Sequence, residues 1–329
     1  MSEGIKYDFI DRMESPGNTV TKNCDFIISQ ADQESIYDLD MFSDVFSKED
    51  IQQDKIYVSK IESQWRAKTL LVPKKERENM SCSKKRSEAL EIIISDQIEL
   101  NNWFGQDALF YKTTQYDDIV NGTDAVVEFT TEDKPERLSL AIDSTSNTNQ
   151  SKVKEKIDRN IAKVLNNSLE IKYFKSQVND DKGILKGVIP VVIGLEAKNT
   201  NSLINDFAQI IRLKQTSESN SIADAHKASS KKEYLILRNK MVSNPVQLIF
   251  LEEIKMQLDM YQSILASENN PNVFVQQTDI SRLSQIIEDI INSKGEINKN
   301  PDTKIFRNDT VYNLIGYESK KKHNIPPKN

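Results

Sequence analysis

Apolar positions along this chain alternate between helical and strand spacing, and each change of spacing predicts a different kind of element. Between Lys84 and Phe104, the residues Leu90, Ile93, Ile94, Ile98 and Leu100 recur mostly at helical intervals. "DALFYKT" (107–113) predicts a short strand. The runs "DAVVEFT" (124–130) and "LSLAIDS" (138–144) alternate with a period of two, the mark of paired, half-buried strands. In "VKEKIDRNIAKVLNN" (153–167), Val153, Ile157, Ile161 and Val164 form one helical stripe. "LEIKYFK" and "VIPVVIGL" (188–195) predict further strands, the second apolar throughout, as a central strand covered on both faces would be. After Asn199 the period turns helical for good. Four helices are predicted there, the third opened by Pro245, where a missing N–H costs nothing.

This pattern divides the chain into a loose N-terminal arm (1–35), an extension ending in a basic linker (36–83), an α/β core (84–198), a C-terminal helical region (199–294) and a partly disordered tail (295–329). Asp117 and Asp118 in "YDDIVNGTD" read as loop residues before the "NG" turn, or as water-mediated contacts of a metal held nearby.

The two central strands fix a register. If Phe129 faces Leu138, one face collects Ala125, Val127, Phe129, Leu138, Leu140 and Ile142, all apolar. The other collects Asp124, Val126, Glu128, Ser139, Ala141 and Asp143. A slip of one residue would mix the sets, so burial should hold this pairing. Asp124 then stands opposite Asp143. Opposed carboxylates about 5 Å apart repel, and one pKa rises unless a cation lies between them. Either both aspartates end their strands in water or they share a cation. Oxygen-only ligands would select a hard ion, Mg2+ or Mn2+. Neutralising Asp143 should then relieve the repulsion.

Composition narrows the chemistry. His226 and His323 are the only histidines and Cys24 and Cys82 the only cysteines, which excludes Cys/His zinc sites, disfavours histidine triads and suits a reducing compartment. No phosphate-cradling glycine motif occurs. The net charge of −6 gives no global attraction to nucleic acid, so contact with DNA or RNA must come from local basic patches. The linker "VPKKERENMSCSKKRS" gathers Lys74, Lys75, Arg77, Lys84, Lys85 and Arg86, as a solvated linker or a phosphate-contacting patch. "MSEGIKYDFIDR" lacks a signal-peptide core, and the longest apolar run is under half a membrane span. The expectation is a cytoplasmic, soluble protein without membrane contact or nucleotide cofactor. The C-terminal helices offer a surface for a protein partner.

A helix with acidic residues, a hairpin with Asp at its start and a second acid at its end, then a helix and a strand resemble the PD-(D/E)XK nuclease superfamily. The resemblance spans about 87–195, with Asp124 of "NGTD" and Asp143 of "LAIDST" in the two acidic motif positions. It implies a restriction-endonuclease-like α/β core, here followed by helices, and hydrolysis of phosphodiester bonds dependent on Mg2+ or Mn2+. Asp124, Asp143 and a carboxylate of the first helix would be the metal ligands. Glu91, about 60° from the stripe centred on Ile94, fits that third place better than Glu88, about 120° away. One position departs: the family lysine belongs two residues after the second acid, where Thr145 stands. Glu196 and Lys198 in "LEAK" have the spacing, but a helix and a strand separate them from Asp143. On the helix after Asp143, taking Ile157 as zero, Lys154 falls about 60° from the stripe, Lys156 about 100° and Lys152 about 140°. Lys154 is therefore expected to supply the missing ammonium. The alternative is that Thr145 marks a lost site, leaving a catalytically inactive module that binds protein or nucleic acid.

Overall fold

The computed structural model of the protein describes residues 16–31, 38–131, 134–177, 181–219, 224–267 and 274–323. The N-terminal part comprises α1 (Pro16–Ala31), a 3-10 turn (Leu39–Phe42), α2 (Lys48–Leu70) and α3 (Lys74–Asn101). The α/β part continues through β1 (Ala108–Lys112), α4 (Gln115–Asn121), β2 (Ala125–Thr131), β3 (Lys134–Thr145), α5 (Gln150–Asn166), β4 (Glu170–Lys175), β5 (Lys182–Lys186) and β6 (Ile189–Gly194). The rest is helical: α6 (Ala197–Glu218), α7 (Asp224–Val242), α8 (Val246–Ala266), α9 (Phe274–Ser293), the short α10 (Gly295–Asn298) and α11 (Pro301–Phe306), and α12 (Thr310–His323).

The main sheet has the order β1-β2-β3-β6. Its first three strands are antiparallel, and β6 joins β3 in parallel after the crossover through α5. Phe129 pairs with Leu138 and Ala125 with Ile142, the register that alternation requires. Ala125, Val127, Phe129, Leu138, Leu140 and Ile142 enter one core with α3, α5, α8 and α9. Val126 and Ala141 face the other way, under Leu169 and, from the separate β4–β5 hairpin, Ile171 and Phe174.

The strand β6 differs from expectation. It lies at the sheet edge, not in its centre. Side chains of α8 cover that edge: Gln257 bonds both the N–H (2.9 Å) and the C=O (2.7 Å) of Val192, Glu253 accepts from Gly194 N (2.8 Å) and Tyr261 donates to Pro190 O (2.9 Å). Buried polar side chains thus do what a neighbouring strand would do, and the apolar run reflects burial rather than central pairing. Gly194 is required by close approach, since a Cβ there would lie 2.0 Å from Thr145 O.

Three segments are more ordered than their pattern predicts. Within the expected loose arm, α1 buries Val20, Cys24 and Ile27 against α3 and α6; residues 1–15 and 32–37 lie outside the described residues. The basic linker is the first half of α3. Pro73 precedes that helix, and its Lys, Glu, Arg and Met residues are good helix formers even without an apolar stripe. Leu100 on the same helix is exposed, off the stripe to which its spacing assigned it. In the expected tail, α12 packs Val311 and Ile315 into the core, while 324–329 lie outside the described residues. The hairpin strand β5 begins and ends on lysine, Lys182 and Lys186, and lies outside the predicted strands.

No helix among the described residues is long and apolar enough to cross a membrane.

Candidate functional site

The acidic end of the sheet is assembled by a short helix and a turn. Thr114 caps α4 by accepting from Asp117 N, and Gly122 ends it in the left-handed conformation (φ 59°). "YDDIVN" is thus helical, against the loop expected there. Asp117 is buried and accepts from the backbone of Lys172 (2.8 Å) and Tyr173 (3.0 Å), so it ties α4 to β4. Asp118 lies on the exposed side. Asp124 follows the turn, with its N–H bonded to Ile142 O (2.8 Å) and its C=O to Thr113 N (3.1 Å). Its backbone is therefore fixed between the ends of β1 and β3.

From that position the two aspartates resolve their repulsion separately. Asp143, buried, is met by protein cations: Lys156 Nζ donates to Oδ1 (2.5 Å) and Arg159 to Oδ2 (2.6 Å). Asp124 instead accepts from Ser144 N (2.6 Å) and Ser144 Oγ (2.8 Å), both on Oδ2. Glu91 of α3 reaches the same hydroxyl, with Oε1 3.4 Å from Ser144 Oγ. The structure thus joins Glu91 to Asp124 through Ser144, and both line a cavity of about 640 Å3 between α1, α3, α6, α7 and β1. Among the described residues nothing donates to Asp124 Oδ1 or Glu91 Oε2. Burial, the nearby Asp143 and Asp118 push the Asp124 carboxyl up to about 7, against the two Ser144 bonds. Burial, and then Asp124, hold Glu91 well above the usual carboxylate range, with Lys112 opposing.

This donor set fits a hard divalent cation in one manner only. Mg2+ commonly takes one or two carboxylates and fills its other positions with water or substrate oxygens. Glu91 and Asp124 offer two such carboxylates, with unused lone pairs and mutual repulsion. Asp143, expected to hold the ion together with Asp124, has both oxygens occupied by Lys156 and Arg159. Accordingly, no group of three or more His, Cys, Asp or Glu side chains among the described residues is arranged to hold a metal ion.

The lysine expectation also needs correction. Lys154 pairs with Asp158, is 44% exposed, and does not touch Asp143. Asp158 in turn pairs with Lys322 of α12, so this flank of α5 faces the C-terminal helix. The opposite flank carries Lys156, Arg159 and Lys163. Lys156 bonds Asp143 and Ser144 O (3.3 Å), and Lys163 donates to Asn121 O (2.5 Å), with burial and Arg159 pushing its pKa down to about 8. Angular distance from the apolar stripe gave no indication of which flank meets the acidic end. The i, i+3, i+7 spacing of Lys156, Arg159 and Lys163 was the available signal, a basic row beside the core-facing stripe. For Ser144 no comparable signal exists.

The ion pairs reverse the expected effect of neutralising Asp143. Asp143→Asn removes the charge shared by Lys156 and Arg159 instead of relieving repulsion. The metal-free protein should lose about 1–3 kcal/mol, the scale of a broken charge-assisted pair whose cations stay partly solvated. Urea denaturation checks this; equal or greater stability would mean that the pairs contribute nothing.

Comparison of the chain with protein-family models, with curated proteins and with solved structures gives no match.

Proposed function

We propose that the chain is a metal-dependent, nuclease-like protein that hydrolyses phosphodiester bonds of nucleic acid, with Glu91 and Asp124 as holders of Mg2+ or Mn2+. The observation that carries this reading is the pair itself: two neighbouring carboxylates, raised in pKa, joined by one hydroxyl and opening on one cavity. The succession α3-β1-β2-β3-α5-β6, with the acids at one end of the sheet, agrees with a restriction-endonuclease-like core. A bound divalent cation would supply positive charge against the phosphate and lower the pKa of water.

The chain's own residues have the remaining tasks. Ser144 orients Asp124 through its N–H and its hydroxyl, and the same hydroxyl lies 3.4 Å from Glu91 Oε1. Asp143 acts as a holder of cations, keeping Lys156 and Arg159 at the strand end. The Lys156 ammonium, rather than that of Lys154, is then a fixed positive charge available to the phosphate.

The alternative is a catalytically inactive module of the same architecture. The saturation of Asp143 by Lys156 and Arg159, together with Thr145, favours it. Cleavage of labelled single-stranded and duplex DNA and RNA, with Mg2+, with Mn2+ and with chelator, decides between them. The nuclease reading expects metal-dependent product that Glu91→Gln and Asp124→Asn both abolish. No product from the wild type under any of these conditions would overturn it in favour of the binding module.

A further inference from the structure

The chain from 59 to 88 is bare. No residue between Val58 and Ala89 is buried, although all but a few of them are helical. By the rise of 1.5 Å per residue, the outer half of α2 extends roughly 18 Å and the outer half of α3 roughly 22 Å. They meet at the turn Leu71–Pro73.

Their feet stand on opposite faces of the sheet. The base of α2 packs Ile51 with Leu39, Phe42 and Tyr173, on the side covered by the β4–β5 hairpin. Its Asp54 accepts from Tyr173 OH (2.6 Å). The base of α3 packs Leu90, Ile93, Ile94 and Ile98 into the core with Val127 and Leu140, on the other face. Both legs leave the body beside the acidic end. Gln115, the first residue of α4, donates to Glu62 of α2 (2.5 Å), and the charge of Lys84 on α3 is felt at Asp118. The two helices therefore form an arch, one foot resting on α4, which leads into Asp124, and the other continuing into the part of α3 that carries Glu91.

The arch is charged against the rest of the molecule. Between 59 and 88 there are nine Lys or Arg and four Glu, in a chain whose net charge is −6. Lys85 and Arg86 are committed to the fold, through Asp25 and Asn201. By contrast, Lys60, Lys68, Lys75, Arg77 and Lys84 make no ion pair or side-chain hydrogen bond with the described residues. Among these cations Trp65 is 53% exposed. A large aromatic ring held in water beside unpaired lysines lacks a packing explanation, and it is what an unpaired nucleobase stacks on.

We infer that the α2–α3 arch is a binding surface for single-stranded nucleic acid, with Lys60, Lys68, Lys75 and Arg77 on the phosphates and Trp65 under a base. This rests on the nuclease-like reading only for what happens at the acidic end; binding itself needs neither metal nor cleavage. A duplex fits less well, because its bases are already stacked and offer no face to the indole.

The test uses the full chain in chelator, with a fluorescent oligothymidylate of about thirty nucleotides, longer than one such site needs. The wild type should bind it, and binding should quench the emission of Trp65, whereas the other tryptophan, Trp103, is fully buried. Replacing Lys60, Lys68, Lys75 and Arg77 by Gln should weaken binding at least about tenfold and flatten the log–log salt slope by roughly 3, at 0.7 per lost phosphate contact. Trp65→Ala should weaken it by about fivefold or more and abolish the quench. Because the assay runs in chelator and reads binding alone, a negative result is a failure of the arch and not of the acidic site. An unchanged salt slope in the four-residue variant would overturn the inference. So would tighter binding to a hairpin duplex of equal length, or binding to phosphatidylserine vesicles in place of the oligonucleotide.

Discussion

Asp124→Asn is expected to melt higher than the wild type when both are metal-free, and to lose the rise in melting temperature that millimolar Mg2+ or Mn2+ gives the wild type. The substitution keeps an oxygen acceptor for Ser144 N and Oγ, so the strand end stays tied. What it removes is a carboxylate charge crowded by burial, Asp143 and Asp118. At a cation concentration ten times Kd, binding stabilises the wild type by about 1.4 kcal/mol. For a chain of this length that corresponds to a shift on the order of 2 °C. A metal-induced rise that survives in Asp124→Asn, or a variant less stable than the wild type without metal, would remove Asp124 from the site.

The pH dependence gives the same expectation a second readout. Asp124 has a carboxyl pKa of about 7 in the fold against 3.8 ordinarily. The folded state therefore holds its proton more tightly than the unfolded chain. That stabilisation is complete below the ordinary value and is lost as the pH rises through about 7. Glu91, also raised, acts in the same direction. Metal-free wild type should thus lose stability between mildly acidic and neutral pH, and Asp124→Asn should lose less of it. Because a cation needs the deprotonated carboxylates, its effect should grow over that same interval.

How far this site could be read from the sequence depended on burial. The hairpin register was legible because β2 and β3 each present alternate residues to two different cores, so only one pairing keeps Val127 and Leu140 on one face and Val126 and Ala141 on the other. The placing of Asp124 beside Asp143 followed from that. The fate of their charges did not. Lys156 and Lys154 differ by two positions on one helix, and an apolar stripe fixes which side of a helix is buried without fixing what lies beyond each flank. Here α12, a segment whose sequence suggested a tail, occupies the flank of Lys154. The arch was hidden for the opposite reason: between 59 and 88 it buries nothing, so its helices leave no apolar period, only two runs of helix-forming residues that meet at Leu71–Pro73. The edge position of β6 was hidden because side chains of α8 replace the missing strand.

If the chain cleaves nucleic acid, Lys156→Ala should reduce cleavage by about two orders of magnitude or more, the loss that follows removal of one electrostatic donor from a preorganised site. Lys154→Ala should stay close to the wild type, since the Lys154 ammonium is bound to Asp158 on the far flank of α5. A loss in Lys156→Ala has two sources, because the same ammonium also holds Asp143 and Ser144 O. Arg159→Ala separates them. Arg159 holds the other oxygen of Asp143, so a purely positioning role for the two cations would make both variants equally slow. A role for Lys156 on the phosphate would leave Arg159→Ala much the faster, with both retaining the metal-induced rise in melting temperature. Lys156→Arg supplies the further control: it keeps the charge, moves it outward on a bulkier fork, and should recover the stability of the Asp143 pair more fully than the rate. Cleavage within a few-fold of wild type in Lys156→Ala, or an equal collapse in Lys154→Ala, would break the link between the basic row of α5 and the chemistry.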